Sequence, residues 1–389
     1  MKFNRHVAYL LICALLLGAV PVGTYLHRKE TYSFYENRQL AVFSLPSWQQ
    51  LWEGSALSEL EKTAADRIAW REDTLRADTA LQLALNRPVV NDIVVTPNAL
   101  LSYYTHNRWD IDYLTGQAEE AADRYALLAQ QVASYGGQFC FVGLPLQSTY
   151  LADLYPDYLD SRRWHTDAIR AAFSQAMTDR GVDFLDLRAV YDSLGSPHEL
   201  YSATDHHFTF QGAFVAYQAI ARHLDGALGS PSKEDFLWET LPNPFLGSSN
   251  RKLYGLYETD EKLELARPRE DIPFTRTDNG KEVEPTVFSL PKTPEEQITY
   301  SLYMGGDVGE TILSTNRPGL PRLLIYGDSF TNPLEALLWT GCDELRSLDL
   351  RYYTQQSLSE YIAAYRPDYV LCVRDESVYL NSAANGATQ

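Results

Sequence analysis

The chain has 389 residues, of which 45 % are hydrophobic and 12 % aromatic, enough for a sizeable core in one large or two ordinary domains. Its formal net charge of −18 and pI near 4.9 exclude the basic surface that nucleic acid requires. The same balance weighs against broad binding to anionic lipid surfaces.

Residues 1–6 carry Lys2 and Arg5, and residues 7–26 then run for 20 positions without a charge, long enough to span a bilayer. The expected organisation is a cytoplasmic N-terminus over 1–6 and a transmembrane anchor over 7–26. A cleaved signal peptide is the alternative, although Gly18-Ala19-Val20-Pro21 makes a poor cleavage site. Either way the folded part is expected outside the cytoplasmic membrane. Residues 27–86 read as a juxtamembrane helical segment, with one helix over 51–85 carried by Leu57, Leu60, Ala64, Ile68 and Leu75 and closed by Arg87-Pro88.

An α/β domain is expected over 87–380. It opens with a strand at 92–96 and a helix at 117–135 that Gly136-Gly137 ends. Gln138–Leu144 is an apolar run of strand length, followed by a helix at 162–180 and a strand at 182–187. Thr209 can cap a helix from 210 to about 224. Later come a strand at 322–326, a helix to Gly341, a strand at 346–350, a helix at Leu358–Tyr365 and a strand at 368–373. Apolar strands alternating with helices predict a three-layer α/β sandwich around a mostly parallel sheet. Residues 230–299 break the rhythm and read as an insertion without regular structure over the sheet edge, of the kind that forms lids or binding loops. Residues 381–389 read as a disordered tail.

Cys13 lies in the apolar run, Cys140 and Cys372 in predicted strands, and Cys342 at a helix end. They read as buried small hydrophobes, because three soluble thiols leave one unpaired under any pairing. No local spacing resembles a zinc site, and neither metal nor cofactor is expected.

The segment RLLIYGDSFTNPLEALLW (322–339) carries the chemistry. A serine at the first turn after a buried strand exposes its Oγ at the sheet edge, and the helix N-terminus behind it offers N–H groups to an oxyanion. Ser329 needs a base, and Asp205-His206-His207 upstream supplies one. Asp205 and His207 are two apart, so the carboxylate can hold one imidazole nitrogen while the other faces the serine. On this reading Ser329 is the nucleophile, His207 the base and Asp205 its orienting acid. His206 points away, and Asp328 holds the turn rather than serving as the acid. The bland alternatives are a helix-capping serine, a capping aspartate and a buried histidine. A metal-binding Asp-His-His cluster lacks the further aspartate motifs it would need. His165 and His198 read as surface histidines.

These motifs resemble two families. Gly327-Asp328-Ser329 at a strand-to-helix turn, with Asp-x-His before a helix, is similar to the SGNH (GDSL-type) hydrolases. Asp205-His206-His207-Phe208-Thr209 with Gly212-Ala213 resembles the DHHW family of bacterial envelope proteins, which are similar to the alginate O-acetylation proteins. Further matching text is Glu36-Asn37-Arg38, YSLYMGGD (300–307), LLIYGDSF (323–330) and SLDLRYY (347–353). The order is permuted, with His207 before Ser329. Phe208 stands where the family has tryptophan, and the asparagine oxyanion block has no clear copy. Candidate oxyanion or substrate groups are therefore the Ser329 N–H, Arg351, Arg374, Tyr303 and the Gly305-Gly306 backbone, with Tyr300, Asp307, Tyr352 and Tyr353 as further candidates to line the pocket.

The resemblance implies an extracytoplasmic serine O-acyltransferase or esterase acting on O-acetyl groups of a cell-envelope or exopolysaccharide. A membrane-bound protein would hand over the acyl donor. The alternative is a non-catalytic glycan-binding or scaffold protein of envelope polysaccharide biosynthesis on the same fold.

Overall fold

The computed structural model describes residues 5–26, 30–42, 44–103 and 111–381. They fall into two compact units, Met1–Asn91 with Arg251–Tyr257, and Asp92–Asn250 with Glu258–Gln389.

In the first unit a helix, α1, covers Arg5–Leu26. The side chains of Ala8, Leu16, Val20, Pro21 and Tyr25 lie outside those described, and among the described residues no helix is long and apolar enough to cross a membrane. The expected anchor is therefore unsupported among the described residues. The single helix expected over 51–85 is three pieces: Trp48–Glu53, α2 (Ser55–Arg67) and α3 (Arg71–Ala84). Gly54 at φ 77° and Trp70 at φ 58° take left-handed backbone between the pieces, which helical periodicity does not reveal. Glu36 and Arg38 pin this unit together. Arg38 grips Asp66 through two bonds of 2.8 and 2.6 Å, and Glu36 accepts two from Arg71 at 2.5 and 2.9 Å.

The second unit is built on an eight-stranded sheet. Its strands are β1 (Gln138–Leu144), β2 (Phe184–Asp186), β3 (Thr275–Asp278), β4 (Lys281–Val283), β5 (Glu310–Ser314), β6 (Arg322–Gly327), β7 (Glu344–Asp349) and β8 (Tyr369–Asp375). They lie side by side as β4-β3-β5-β7-β6-β8-β1-β2. Pairing is parallel from β7 across to β2 and antiparallel among β7, β5, β3 and β4. The sheet is thus mixed, with five parallel strands as its larger part and antiparallel strands added at one side. β3 (TRTD) and the edge strand β4 (KEV) are short and polar, so the sequence offers no apolar run to mark them.

Helices α4 (Ile111–Ala133), α5 (Arg163–Asp179) and α8 (Leu358–Tyr365) cover one face. There Tyr125, Phe173 and Ile362 meet Phe139, Phe141, Leu324, Tyr326, Val370 and Cys372 in one core. The intervening residues Leu323 and Ile325 are fully buried and by strand alternation face the other side. Helices α6 (Phe210–His223) and α7 (Thr331–Leu338) pack together there, α7 against β6 and β7. The strand–helix rhythm thus makes an α/β sandwich, as its sequence pattern predicts.

The topology places the site. β7 and β8, the two strands that follow β6, flank it on opposite sides, so the chain changes its direction of travel across the sheet at β6. In open α/β sheets the crevice outside the carboxyl end of such a strand is where ligands bind.

The insertion at 230–299 is ordered rather than structureless. Phe236–Thr240 pairs antiparallel with Glu264–Pro268, a short helix forms over Ser248–Lys252, and β3 and β4 extend the main sheet. Of the predicted tail only residue 381 is described; residues 382–389 lie outside the described set.

Candidate active site

β6 runs straight into Gly327-Asp328-Ser329. Gly327 is required by space: a Cβ there would sit 2.4 Å from Thr331 Cγ2 and 2.7 Å from the Val373 carbonyl oxygen. The chain can therefore turn tightly against β8 and lift Ser329 out of the sheet. Asp328 fastens the turn, accepting the Phe330 N–H at 3.1 Å through Oδ1 and Arg374 Nη1 at 3.2 Å through Oδ2. It is committed to the turn rather than to a histidine.

The Asp205–His207 loop enters from the other direction, just before α6. Thr209 caps that helix, its hydroxyl accepting the Gly212 N–H at 3.2 Å. His207 Nε2 lies 2.7 Å from Ser329 Oγ, and His207 Nδ1 lies 2.6 Å from Asp205 Oδ1. An ionised carboxylate only accepts, so Nδ1 carries the proton and Nε2 offers its lone pair to the serine hydroxyl. The three side chains form one hydrogen-bonded line, with Asp205 and His207 only 2 % and 4 % exposed.

Asp205 is held as an anion. Burial opposes its charge, but the hydrogen bond and electrostatic attraction of the His207 ring, the His206 ring and the Ser248 N–H outweigh that and keep its carboxyl below the usual carboxylate range. The Ser248 N–H reaches Asp205 Oδ2 at 2.6 Å, and the His207 N–H reaches Oδ1 at 3.2 Å. His207 is fixed as a plane: Tyr300 stacks on it at 3.9 Å with 6° between the rings, and Phe330 packs edge-on at 4.7 Å.

The insertion supplies much of this support. Gly247 lets its backbone approach the loop closely, since a Cβ there would lie 2.3 Å from the Thr204 carbonyl oxygen. Glu261 takes the Ala203 N–H at 3.0 Å, the Thr204 N–H at 3.0 Å and the Thr204 hydroxyl at 2.6 Å. Neither Ser248 nor Glu261 is visible as a site residue in the sequence. The Ser248 N–H acts on the Asp205 carboxylate and Glu261 on Ala203 and Thr204 of a distant loop, from a stretch without periodicity.

The weaker candidates separate. Tyr303 is fully buried, stacked on Phe210, with its hydroxyl donating to the Glu264 carbonyl at 2.8 Å, so it is closed to a ligand. The Gly306 N–H is spent on the Tyr303 carbonyl at 3.1 Å. Arg351 is half-exposed but bound to Asp349 at 2.6 Å and Asp307 at 2.7 Å. Arg374 is buried beside Asp328, its Nε without a hydrogen-bond partner among the described residues. Tyr352 is exposed and Tyr353 buried. Phe208 is wholly buried against Phe330 and Tyr201 and packs rather than lines. His198 is exposed and paired with Asp153, whereas His165 is buried, contrary to its reading as a surface residue. Among the described residues none accepts the Ser329 N–H, which leaves that donor beside Oγ.

Asp205, His206 and His207 are close enough to group around an ion. Their bonds lead elsewhere: His207 spends both nitrogens on Asp205 and Ser329, and His206 turns Nδ1 to Ser248 Oγ at 2.7 Å. The arrangement suits activation of a hydroxyl for attack on an acyl carbon, with the resulting oxyanion near the Ser329 N–H.

Residues 103–294 match the family described as SGNH hydrolase-like domain, acetyltransferase AlgX. That stretch includes Asp205 and His207 and ends before Ser329. The fold is similar to PatB1 of Bacillus cereus, at 20 % identity and a TM-score of 0.63 over 74 % of this chain and 96 % of that one. PatB1 with a sulfonyl adduct gives 19 % identity and a TM-score of 0.62, over 74 % and 95 %. A DHHW family protein from Eubacterium siraeum gives 19 % identity and a TM-score of 0.57, over 77 % and 95 %. No curated protein matches the chain. Residues 103–294 are thus similar to the SGNH hydrolase-like domain that the motifs imply.

Proposed function

Starting from that SGNH hydrolase-like domain, we propose that the chain is a serine-dependent O-acyltransferase or esterase that acts on O-acetyl groups of a cell-envelope or exopolysaccharide. The observation that carries this reading is the 2.7 Å approach of His207 Nε2 to Ser329 Oγ, with Asp205 behind the ring. The family description names an acetyltransferase, which favours acetyl as the group transferred.

His207 takes the Ser329 proton as Oγ attacks the acyl carbonyl. The tetrahedral oxyanion draws on the Ser329 N–H, and its collapse forms acyl-Ser329 while His207 returns the proton to the departing oxygen. A sugar hydroxyl or a water, deprotonated by His207 in turn, then removes the acyl group. The anionic Asp205 stabilises the imidazolium that forms at each step. An extracytoplasmic setting, with the acyl donor delivered by a membrane protein, rests on the uncharged stretch 7–26 and on the motif resemblance.

The test incubates the full chain with p-nitrophenyl acetate, wild type beside Ser329→Ala. Hydrolysis by the wild type, an acetylated Ser329 peptide by mass spectrometry, and a loss on the order of 10³-fold or more in the variant are expected. Equal rates in both proteins, with no adduct on Ser329, would leave a binding or scaffold role instead.

A further inference from the structure

A second group of reactive side chains lies at the opposite end of the strands from Ser329. Phe139 and Phe141 join the core beneath α4 and α5, so alternation turns Cys140 of β1 to the other face, where α6 lies. His223 is the last residue of α6. Asp183 leads into β2 and is fixed beside β1, its carbonyl accepting the Phe141 N–H at 2.9 Å. His223 Nε2 lies 2.7 Å from Asp183 Oδ1. One atom each of Cys140, Asp183 and His223 can be chosen so that all three lie within 4.8 Å of one another.

A thiolate, an imidazole and a carboxylate are the donor set of zinc and its first-row neighbours. Around a tetrahedral zinc with bonds of roughly 2.0–2.3 Å, donors stand about 3.3–3.8 Å apart, so side-chain movements of about an ångström close this trio on an ion. Access is built in: Cys140 is 1 % exposed, but the Asp183 and His223 side chains are 31 % and 30 % exposed. An ion can enter from their side, and water can complete the coordination. The three ligands come from three separate elements, which is why no local spacing in the sequence announces them.

We propose that Cys140, Asp183 and His223 bind one zinc-class divalent cation that ties β1, β2 and α6 together, a structural site independent of Ser329. On binding, the Cys140 S–H bond breaks, its proton leaves to solvent and a metal–sulfur bond forms. The His223 ring proton shifts to Nδ1 so that Nε2 can donate its lone pair, and Asp183 contributes a carboxylate oxygen. No electron is transferred.

The test uses the full chain, stripped with chelator and titrated with Zn²⁺ or Co²⁺. The expected result is about one metal per chain by elemental analysis, a thiolate-to-cobalt absorption band, and a Zn²⁺-dependent rise in the thermal midpoint. Cys140→Ser should abolish the band, and His223→Gln should weaken binding by at least about tenfold. Cys342→Ala, another buried thiol, should leave both unchanged. Wild-type protein that holds no stoichiometric metal, or that binds cobalt without the thiolate band, would overturn the proposal even if Cys140→Ser fails to fold. Binding lost with His206→Ala but kept with His223→Gln would place the ion at the Asp205 loop and overturn it equally.

Discussion

At the scale of single residues, the account turns on how His207 is held. A neutral imidazole can take the Ser329 proton only if its plane and tautomer are fixed, and Asp205 and Tyr300 fix one each. Burial pushes the Tyr300 hydroxyl well above its ordinary range, and among the described residues it makes a long 3.4 Å bond to the Phe208 carbonyl. The ring, rather than the hydroxyl, therefore does the positioning. Tyr300→Phe is expected to keep near wild-type esterase activity, whereas Tyr300→Ala lets the imidazole tilt and lowers kcat by about ten- to a hundredfold. Steady-state kinetics on both variants check this; equal losses would show that the hydroxyl matters instead. The base must also be unprotonated. Activity is thus expected to fall toward acidic pH. A rate that stays flat from about pH 5 to 8 would count against histidine as the base.

At the scale of elements, the turn after β6 holds a position with no room for a side chain. A methyl at residue 327 would press on Thr331 and on the Val373 carbonyl of β8. Gly327→Ala is expected to cost about 1–3 kcal/mol in a urea titration and to displace Ser329 from His207, so stability and kcat drop together. A variant as stable and as active as wild type would show that the turn relaxes freely. The turn and the Asp205–His207 loop were both legible in the sequence. Ser329 sits where an apolar run stops and a helix starts, His207 sits just before a helix that Thr209 caps, and the two are residue types with few other reasons to share a sheet edge. Gln138–Leu144 and Leu358–Tyr365 also keep their predicted limits, because a dense apolar run and a Ser357–Glu360 capping box mark them. The insertion was not legible. β3 and β4 are short polar strands at one side of the sheet, and the Ser248 N–H is a backbone donor while the Glu261 carboxylate accepts backbone N–H groups, to which the pattern of side chains is blind. The break in the helix at Trp70 was hidden for a related reason, since periodicity continues across it.

At the scale of the whole molecule, buried carboxyls at the carboxyl end of β8 tie stability to pH. Burial and the nearby Asp328 charge push Asp375 from 3.8 up to about 6. Burial pushes Glu376 from 4.5 up to about 7, despite its 2.9 Å bond from Arg188. Both groups hold their protons more tightly folded than unfolded, so their contribution to stability is greatest below about pH 4 and is lost as pH rises through 6 and 7. Asp205, shifted the other way, contributes above its unfolded value of 3.8 and loses that contribution in more acidic solution. Glu376→Gln is expected to narrow the difference in denaturation midpoint between about pH 5 and pH 8; an unchanged difference would remove Glu376 from the account. The same edge of the sheet carries the proposed chemistry, and the most direct measurement of it is covalent capture. The full chain is treated with a sulfonyl fluoride, and its peptides are mapped by mass spectrometry for the wild type and for His207→Gln. The account predicts stoichiometric modification of Ser329 in the wild type and little or none in the variant. Equal labelling of Ser329 in both proteins, or none in a folded wild type, would contradict it.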